Sequence, residues 1–97
     1  MNFKGLVNNI KKAHQFLQAE AAKSVNISIT IRNWMIGYYI QEFEQKGEDR
    51  AKYGDKLLPN LEKQLSGSGI KGMTARRFSE YRRFYNIYPH IGQVISS

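Results

Sequence analysis

The chain contains no cysteine, only two prolines and no long hydrophobic run. Without cysteine it can form neither a disulfide framework nor a thiolate metal site, which fits a reducing compartment and makes the cytoplasm the expected location. The longest apolar run, Trp34 to Ile40, is far too short to span a bilayer. Residues Met1 to Leu6 lack the long apolar region of a cleaved export signal. We therefore expect no membrane partner.

Groups that could perform catalysis or bind a metal are also scarce. The two histidines, His14 and His90, are far apart in the sequence, and no acidic pair has metal-ligand spacing. Glu44 and Lys46 match the Glu-x-Lys half of a metal-dependent nuclease signature. That chemistry needs a strand and an upstream aspartate that shares the metal, whereas these residues end a predicted helix and read as solvated. We predict no catalytic site, no metal and no cofactor in this chain.

Apolar periodicity predicts an all-α domain of about four helices within residues 1–97. The first helix runs from about Phe3 to Ala22, and the second from Val25 to about Gln45. The start of the second helix, Val25 to Ile31, also alternates as a strand would. Because the chain offers no other strand to pair with it, and a lone strand is unstable, we favour a helix there.

The other two helices lie in the second half of the chain. Gly47 to Gly54 reads as a charged loop. A short third helix carries leucines from Leu57 to Leu65 and should start near residues 56–58, because Pro59 is tolerated only in a first turn. A glycine-rich turn, Ser66 to Gly72, leads into the fourth helix, Met73 to Pro89.

The fourth helix is the most informative segment. Thr74 is a candidate N-cap, and Pro89 ends the helix. Aromatic residues recur at spacings of three and four, which places them on one face. They are Phe78, Tyr81, Phe84, Tyr85 and Tyr88. The other side is polar and carries Arg76, Ser79, Arg82, Arg83 and Asn86. We expect Trp34 of the second helix to pack with Phe78, Tyr81 and Tyr85, and Gly37 to lie at a close helix–helix contact.

Positive charge is concentrated in the same region. Residues 71–97 hold five basic residues and one acidic residue, so they contribute +4 of the net charge of +7. A basic face attracts phosphate backbones, although basic faces on small domains are usually only solvated. A helix, a turn and a basic helix are typical of a DNA-reading module, so double-stranded DNA is the expected partner. The candidate DNA-binding residues are Lys71, Thr74, Arg76, Arg77, Ser79, Arg82, Arg83 and Asn86.

Two motifs resemble the YhcG family. Residues Asn33 to Ile40 are similar to its Tyr-Trp-x-Ile-Gly-x-x-Ile signature, and Tyr53-Gly54 matches the end of the charged loop that follows. Residues Gly72 to Pro89 resemble the block Gly-Phe-Ser-x-x-Asn-Leu-x-x-Met-x-x-Phe-Tyr-x-x-Tyr-Pro, most specifically in its ending. This chain departs from the block where Met73 stands in place of Phe, Arg77 in place of Asn, Phe78 in place of Leu and Tyr81 in place of Met.

The resemblance implies a helical, winged-helix-like DNA-binding domain joined to a C-terminal PD-(D/E)XK nuclease domain in a bacterial protein. We therefore expect this chain to be a fragment that lacks the nuclease domain. Two functions remain open: a DNA-binding module that positions the nuclease, or a helical dimerisation or protein-docking module without DNA contact. A steep salt dependence of DNA affinity would indicate the DNA-binding module. An apolar groove or stripe would indicate the docking module. The tail Ile91 to Ile95 is a candidate contact with a second copy.

Overall fold

Helix α2 is the central element of the fold and has neighbours on both sides. The computed structural model describes residues 1–20 and 25–92, with side chains at 1–15 and 29–92. The helices of these residues are α1 (Phe3–Glu20), α2 (Val25–Lys46), α3 (Arg50–Tyr53), α4 (Leu57–Gly67) and α5 (Ala75–Ile87). Helices α1 and α5 both pack along α2, and α4 contacts α5 and α1.

The predicted all-α class with four principal helices is confirmed. The segment from Val25 to Ile31 is helical and forms the start of α2, as predicted, although β-branched residues favour strands. Ala21 and Ala22, which the prediction placed in the first helix, lie outside the described residues. No strand occurs in residues 1–20 and 25–92, so the β-hairpin wing of a winged helix is not found there.

The prediction of a loop from Gly47 to Gly54 is wrong in part. Helix α3 occupies Arg50–Tyr53, and a 3-10 turn at Gly54–Lys56 follows it directly. The amide of Phe3 donates a 2.7 Å hydrogen bond to Asp49 Oδ1, and the Phe3 ring stacks on Tyr53 with centroids 4.1 Å apart. These contacts with α1 order a segment whose charged composition alone indicates a loop.

The hydrophobic core lies where α1, α2, α4 and α5 meet. Its largest fully buried side chains include Phe43 of α2 and Phe78 of α5. The apolar side chains of α2 project in more than one direction, because α1 and α5 both pack against this helix. The buried core residues are Leu6, Val7, Ile10, Ala13, Ile36, Ile40, Phe43, Leu57, Leu61, Leu65, Met73, Phe78 and Tyr81.

Helices α2 and α5 are in backbone contact at Gly37, as predicted. A β-carbon added to Gly37 would lie 2.0 Å from the carbonyl oxygen of Tyr81 and 2.6 Å from its carbonyl carbon. No side chain can occupy that space, so only glycine allows the two helices to approach this closely. The contact fixes the distance between α2 and α5.

The predicted aromatic cluster is divided into two. Phe78 and Tyr81 belong to the main core, whereas Trp34 packs beside it against Tyr85, with ring centroids 5.3 Å apart. Tyr38 completes this second group, 5.9 Å from Trp34 and 5.5 Å from Tyr85. The link from the second helix to the aromatic helix is thus correct. Phe78 and Tyr85 lie on the same side of α5, but they are about 10 Å apart along its axis and so reach different neighbours.

Trp34 also binds the segment that follows α5. Its Nε1 donates a 2.8 Å hydrogen bond to the carbonyl oxygen of Tyr88. A β-carbon at Gly92 would lie 2.7 Å from the edge of the indole ring, so the chain after Pro89 passes directly over Trp34. Trp34 therefore connects α2 both to α5 and to the start of the C-terminal segment.

We predict that Gly37→Ala destabilises the fold. The added methyl group meets backbone atoms that cannot rotate away, so α2 and α5 must separate, at a cost of about 1–3 kcal/mol or more. Gly67→Ala is the matched control, because a β-carbon there meets nothing within 4 Å. Urea unfolding followed by circular dichroism measures both. Equal stability of the two variants would contradict the close contact.

We predict that Trp34→Ala costs roughly 3–5 kcal/mol of folding free energy. The change removes the stack with Tyr38, the edge-to-face contact with Tyr85 and the hydrogen bond to the Tyr88 carbonyl oxygen. Trp34→Phe keeps a ring but loses the hydrogen bond, so it should cost clearly less. Thermal unfolding followed at 222 nm tests this expectation. An alanine variant that melts within a few degrees of the parent would show that Trp34 is not needed for packing.

Candidate nucleic-acid interface

The N-terminus of α5 is capped from two directions. Thr74 is the N-cap, as predicted, and its side chain accepts a 3.2 Å hydrogen bond from the amide of Arg77. The amide of Ala75 donates a 2.7 Å hydrogen bond to Glu62 Oε1, on α4. A helix N-terminus commonly binds phosphate, but here a carboxylate of the protein already occupies part of that position.

The turn before α5 is built on two glycines. Gly69 and Gly72 have φ values of 83° and 80°, a conformation that side chains disfavour. Arg77 Nη1 donates a 2.7 Å hydrogen bond to the carbonyl oxygen of Gly72, so this arginine folds back onto the turn. Lys71 is exposed beside it, and Met73 is buried in the core. The turn therefore presents Lys71 while Met73 anchors it.

The aromatic face of α5 is buried at its start and exposed at its end. Phe78 and Tyr81 are in the core, and Phe84 and Tyr85 are half-buried. Tyr88, which was assigned to the same face, is 55% exposed, since α5 has ended at Ile87 and the chain turns away. Burial raises the pKa of Tyr38 beside Tyr85, and the charge of Glu42 raises it further, so Tyr38 is uncharged at neutral pH.

The outward face of α5 carries Arg76, Ser79 and Arg83, all exposed. The Arg76 side chain is 90% exposed, and its Nε lies 3.5 Å from Glu80 Oε1. An ion pair this exposed holds its partners weakly. Arg83 makes no ion pair or hydrogen bond with any described residue. Two cations are therefore available to a ligand on this face.

Arg82 and Asn86 have different surroundings from those predicted for an outward face. Arg82 Nη1 lies 2.5 Å from Glu44 Oε2, and Asn86 Nδ2 donates a 3.3 Å hydrogen bond to Gln41 Oε1. Both contacts join α5 to α2. At about 100° per residue, Arg83 projects within roughly 20° of Arg76, but Arg82 is about 120° away. The helical angle therefore already distinguishes the two arginines.

Glu44 is correspondingly not a free solvated residue. Its carboxylate accepts a hydrogen bond from the Arg82 guanidinium and so joins α2 to α5. The Glu44 side chain is 33% exposed. Lys46 is exposed, as expected. Among the residues the structure describes, no group of three His, Asp or Glu side chains could hold a metal ion. In the same ranges no helix is both long and apolar enough to traverse a bilayer.

The sequence of the chain matches the DUF1016 N-terminal domain over residues 9–97. The chain belongs to this family. It is also 38% identical over 74 residues to the Escherichia coli (strain K12) protein named "Putative nuclease YhcG". That alignment covers 76% of this chain but 20% of the relative, so the chain spans about a fifth of that protein's length. The resemblance to the YhcG family is confirmed. No solved structure matches the chain.

We predict that Thr74→Ala loosens the start of α5 and costs about 1 kcal/mol, the usual effect of losing an N-cap. In a domain of this size the melting temperature should fall by roughly 4–8 °C. Thr74→Ser keeps an acceptor oxygen for the Arg77 amide and serves as the control. Thermal unfolding of the three proteins tests the assignment, which fails if serine and alanine lower the melting temperature equally.

Proposed function

We propose that this chain is a DNA-binding module that positions a C-terminal nuclease domain on double-stranded DNA. Helix α5 would act as the recognition helix, and α4, the glycine turn and α5 would form a helix-turn-helix unit. The observation that carries the proposal is the outward face of α5, where Arg76, Ser79 and Arg83 are exposed while the opposite side is anchored by buried aromatics. A helix fixed from behind presents its cations in a defined direction.

The cations of this region differ in what they can do. Arg76 and Arg83 can reach base edges or phosphates without giving up a strong internal contact. Lys71 is exposed at the turn, and Arg77 lies beside it on Gly72, so both are suited to phosphate contacts. Arg82 holds α5 on α2 through Glu44, and we assign it a positioning role.

Three further candidates have smaller roles in this proposal. Ser79 and Thr74 are exposed and can donate a hydroxyl hydrogen bond to phosphate, although Thr74 already caps the helix. Asn86 is exposed but bonded to Gln41. We therefore propose that Asn86, like Arg82, supports α5 and contacts DNA only secondarily.

The nuclease connection comes from the family. The relative from Escherichia coli is named as a nuclease and is about five times longer than the aligned region. A small basic domain that precedes a nuclease domain can raise the local concentration of DNA at that domain's active site. The positioning role follows from combining this relation with the exposed arginines of α5.

A dimerisation or docking module is the second candidate, and one observation favours it. Ile87 and Tyr88 are 56% and 55% exposed, and residues 87–91 line a shallow hollow of about 280 Å³. Of the tail from Ile91 to Ile95, only Ile91 and Gly92 lie within the described residues. We give DNA binding more weight, because the outward face of α5 carries the exposed Arg76 and Arg83.

We predict that the double variant Arg76→Ala, Arg83→Ala weakens duplex binding by on the order of 2–5 kcal/mol without changing helix content. If Lys71, Arg76, Arg77 and Arg83 each contact a phosphate, these four residues should contribute roughly −3 to −4 to the slope of log affinity against log salt. In the double variant this salt slope should be less steep by about 2. Anisotropy titrations with a labelled duplex at several salt concentrations measure both quantities.

The matched control is the double variant Lys46→Ala, Lys56→Ala. Both lysines are exposed and lie outside α5, and replacing them removes the same charge as the arginine variant. Unchanged duplex affinity in a folded arginine variant would refute the role of α5, and a parent chain that binds no duplex would favour the docking module. A loss of equal size on every duplex sequence would show that these arginines position the protein and do not read bases.

A further inference from the structure

A second basic surface lies between α1 and α4, away from the outward face of α5. Two hollows, of about 400 and 290 Å³, share Phe3 and Gln64 in their walls, and we refer to the two together as the α1–α4 groove. The groove is lined by three lysines and three amide side chains. These are Lys4, Lys11, Lys63, Asn8, Asn60 and Gln64. No acidic residue of the described chain lines either hollow.

The two helices contribute matching polar stripes. On α1, Lys4, Asn8 and Lys11 are separated by four and three residues, which aligns them on one face over about 10 Å. On α4, Gln64 lines the same hollow as these three residues, and Lys63 lines the neighbouring hollow. Their neighbour Glu62 points instead to the N-terminus of α5. The groove and the N-terminus of α5 therefore lie on different sides of α4.

The lysines of the groove are uncompensated. None of Lys4, Lys11 and Lys63 forms an ion pair with a described residue. Lys4 and Lys63 are exposed, and Lys11 is half-buried, so its stem packs while its ammonium group reaches the groove. Three like charges around one open cleft create a positive potential that attracts a polyanion.

The aromatic residues of the groove narrow the choice of ligand. Tyr53 is covered on one face by Phe3, at 4.1 Å and an interplanar angle of 18°, and the Lys52 ammonium lies 5.8 Å from its ring centroid. Single-strand binding proteins stack bases on open aromatic faces. Phe3 and Tyr53 cover one face of each other, and the groove has more lysine and amide side chains than aromatic ones, so we assign it to phosphates.

We propose that the α1–α4 groove binds the phosphodiester backbone of DNA, as a second contact surface separate from α5. The lysine ammonium groups hold phosphate oxygens as point charges, and the amide groups of Asn8 and Gln64 donate hydrogen bonds to them. This inference rests on the proposed DNA binding and adds to it a contact that carries no sequence information. Two separated contacts on one rigid domain raise the overall affinity and fix its orientation on the duplex.

The test compares three variants of the 97-residue chain with the parent. The groove variant is Lys4→Gln, Lys11→Gln, Lys63→Gln, and the matched control is Lys12→Gln, Lys46→Gln, Lys56→Gln, whose lysines are exposed and line neither hollow. The third is the arginine double variant of α5. Each is titrated with a labelled random-sequence duplex and a labelled single strand between 50 and 200 mM salt, after circular dichroism has shown that it is folded.

We expect the groove variant to bind the duplex on the order of tenfold more weakly, with a salt slope less steep by roughly 2–3. The duplex affinity of the control variant should fall by about threefold or less. The double variant Lys4→Gln, Lys63→Gln spares the half-buried Lys11 and should show a smaller loss of the same kind if the triple variant is unstable. Equal losses in the groove variant and the control would overturn the groove, because they reflect net charge alone.

The outcomes separate this inference from the proposed function. If the α5 variant loses duplex affinity and the groove variant does not, the recognition helix is supported and the groove is refuted. Loss in the groove variant alone supports the groove and refutes the role of α5. A parent chain that binds neither probe at 50 mM salt refutes both. Loss confined to the single strand would also refute the groove as a duplex contact.

Discussion

The backbone contact between Gly37 and Tyr81 is the constraint on which the rest of the structure depends. Because glycine has no side chain, α2 and α5 approach until a β-carbon at Gly37 would lie 2.0 Å from the Tyr81 carbonyl oxygen. At this distance Tyr81 is buried, Trp34 reaches Tyr85, and Arg82 reaches Glu44. The same contact sets the rotation of α5, and with it the direction in which Arg76 and Arg83 point.

The positive charge of α5 is divided between holding the helix and facing outward. Arg82 is paired with the Glu44 carboxylate of α2, and Arg77 is held by the neutral Gly72 carbonyl and keeps its charge. Arg76 has only an exposed partner, and Arg83 has none among the described residues. The net charge of this region therefore overstates the charge that a ligand meets. The Glu62 carboxylate at the start of α5 lowers it further, so affinity for DNA would depend on side chains and not on the helix N-terminus.

Helix α4 connects the two surfaces that we propose to contact DNA. Glu62 binds the first turn of α5, and the next two residues, Lys63 and Gln64, face the groove shared with α1. One short helix, packed in the core through Leu61 and Leu65, thus sets the geometry between a face that could read sequence and a groove that could only hold phosphates. A domain that places a nuclease on DNA needs such a fixed orientation, since a single contact leaves rotation free.

The sequence by itself determined the helical class, the four main helices, the Thr74 cap, the need for glycine at position 37 and the family. These follow from periodicity, capping chemistry and motifs, which are local properties of the chain. Only the tertiary structure decided that α3 is ordered by Phe3, that the aromatics form two groups, that Arg82 binds Glu44, and that lysines of α1 and α4 share one groove. The reason is that each of these depends on which helix lies opposite another and at what rotation, and residues far apart in the sequence set those angles together through packing.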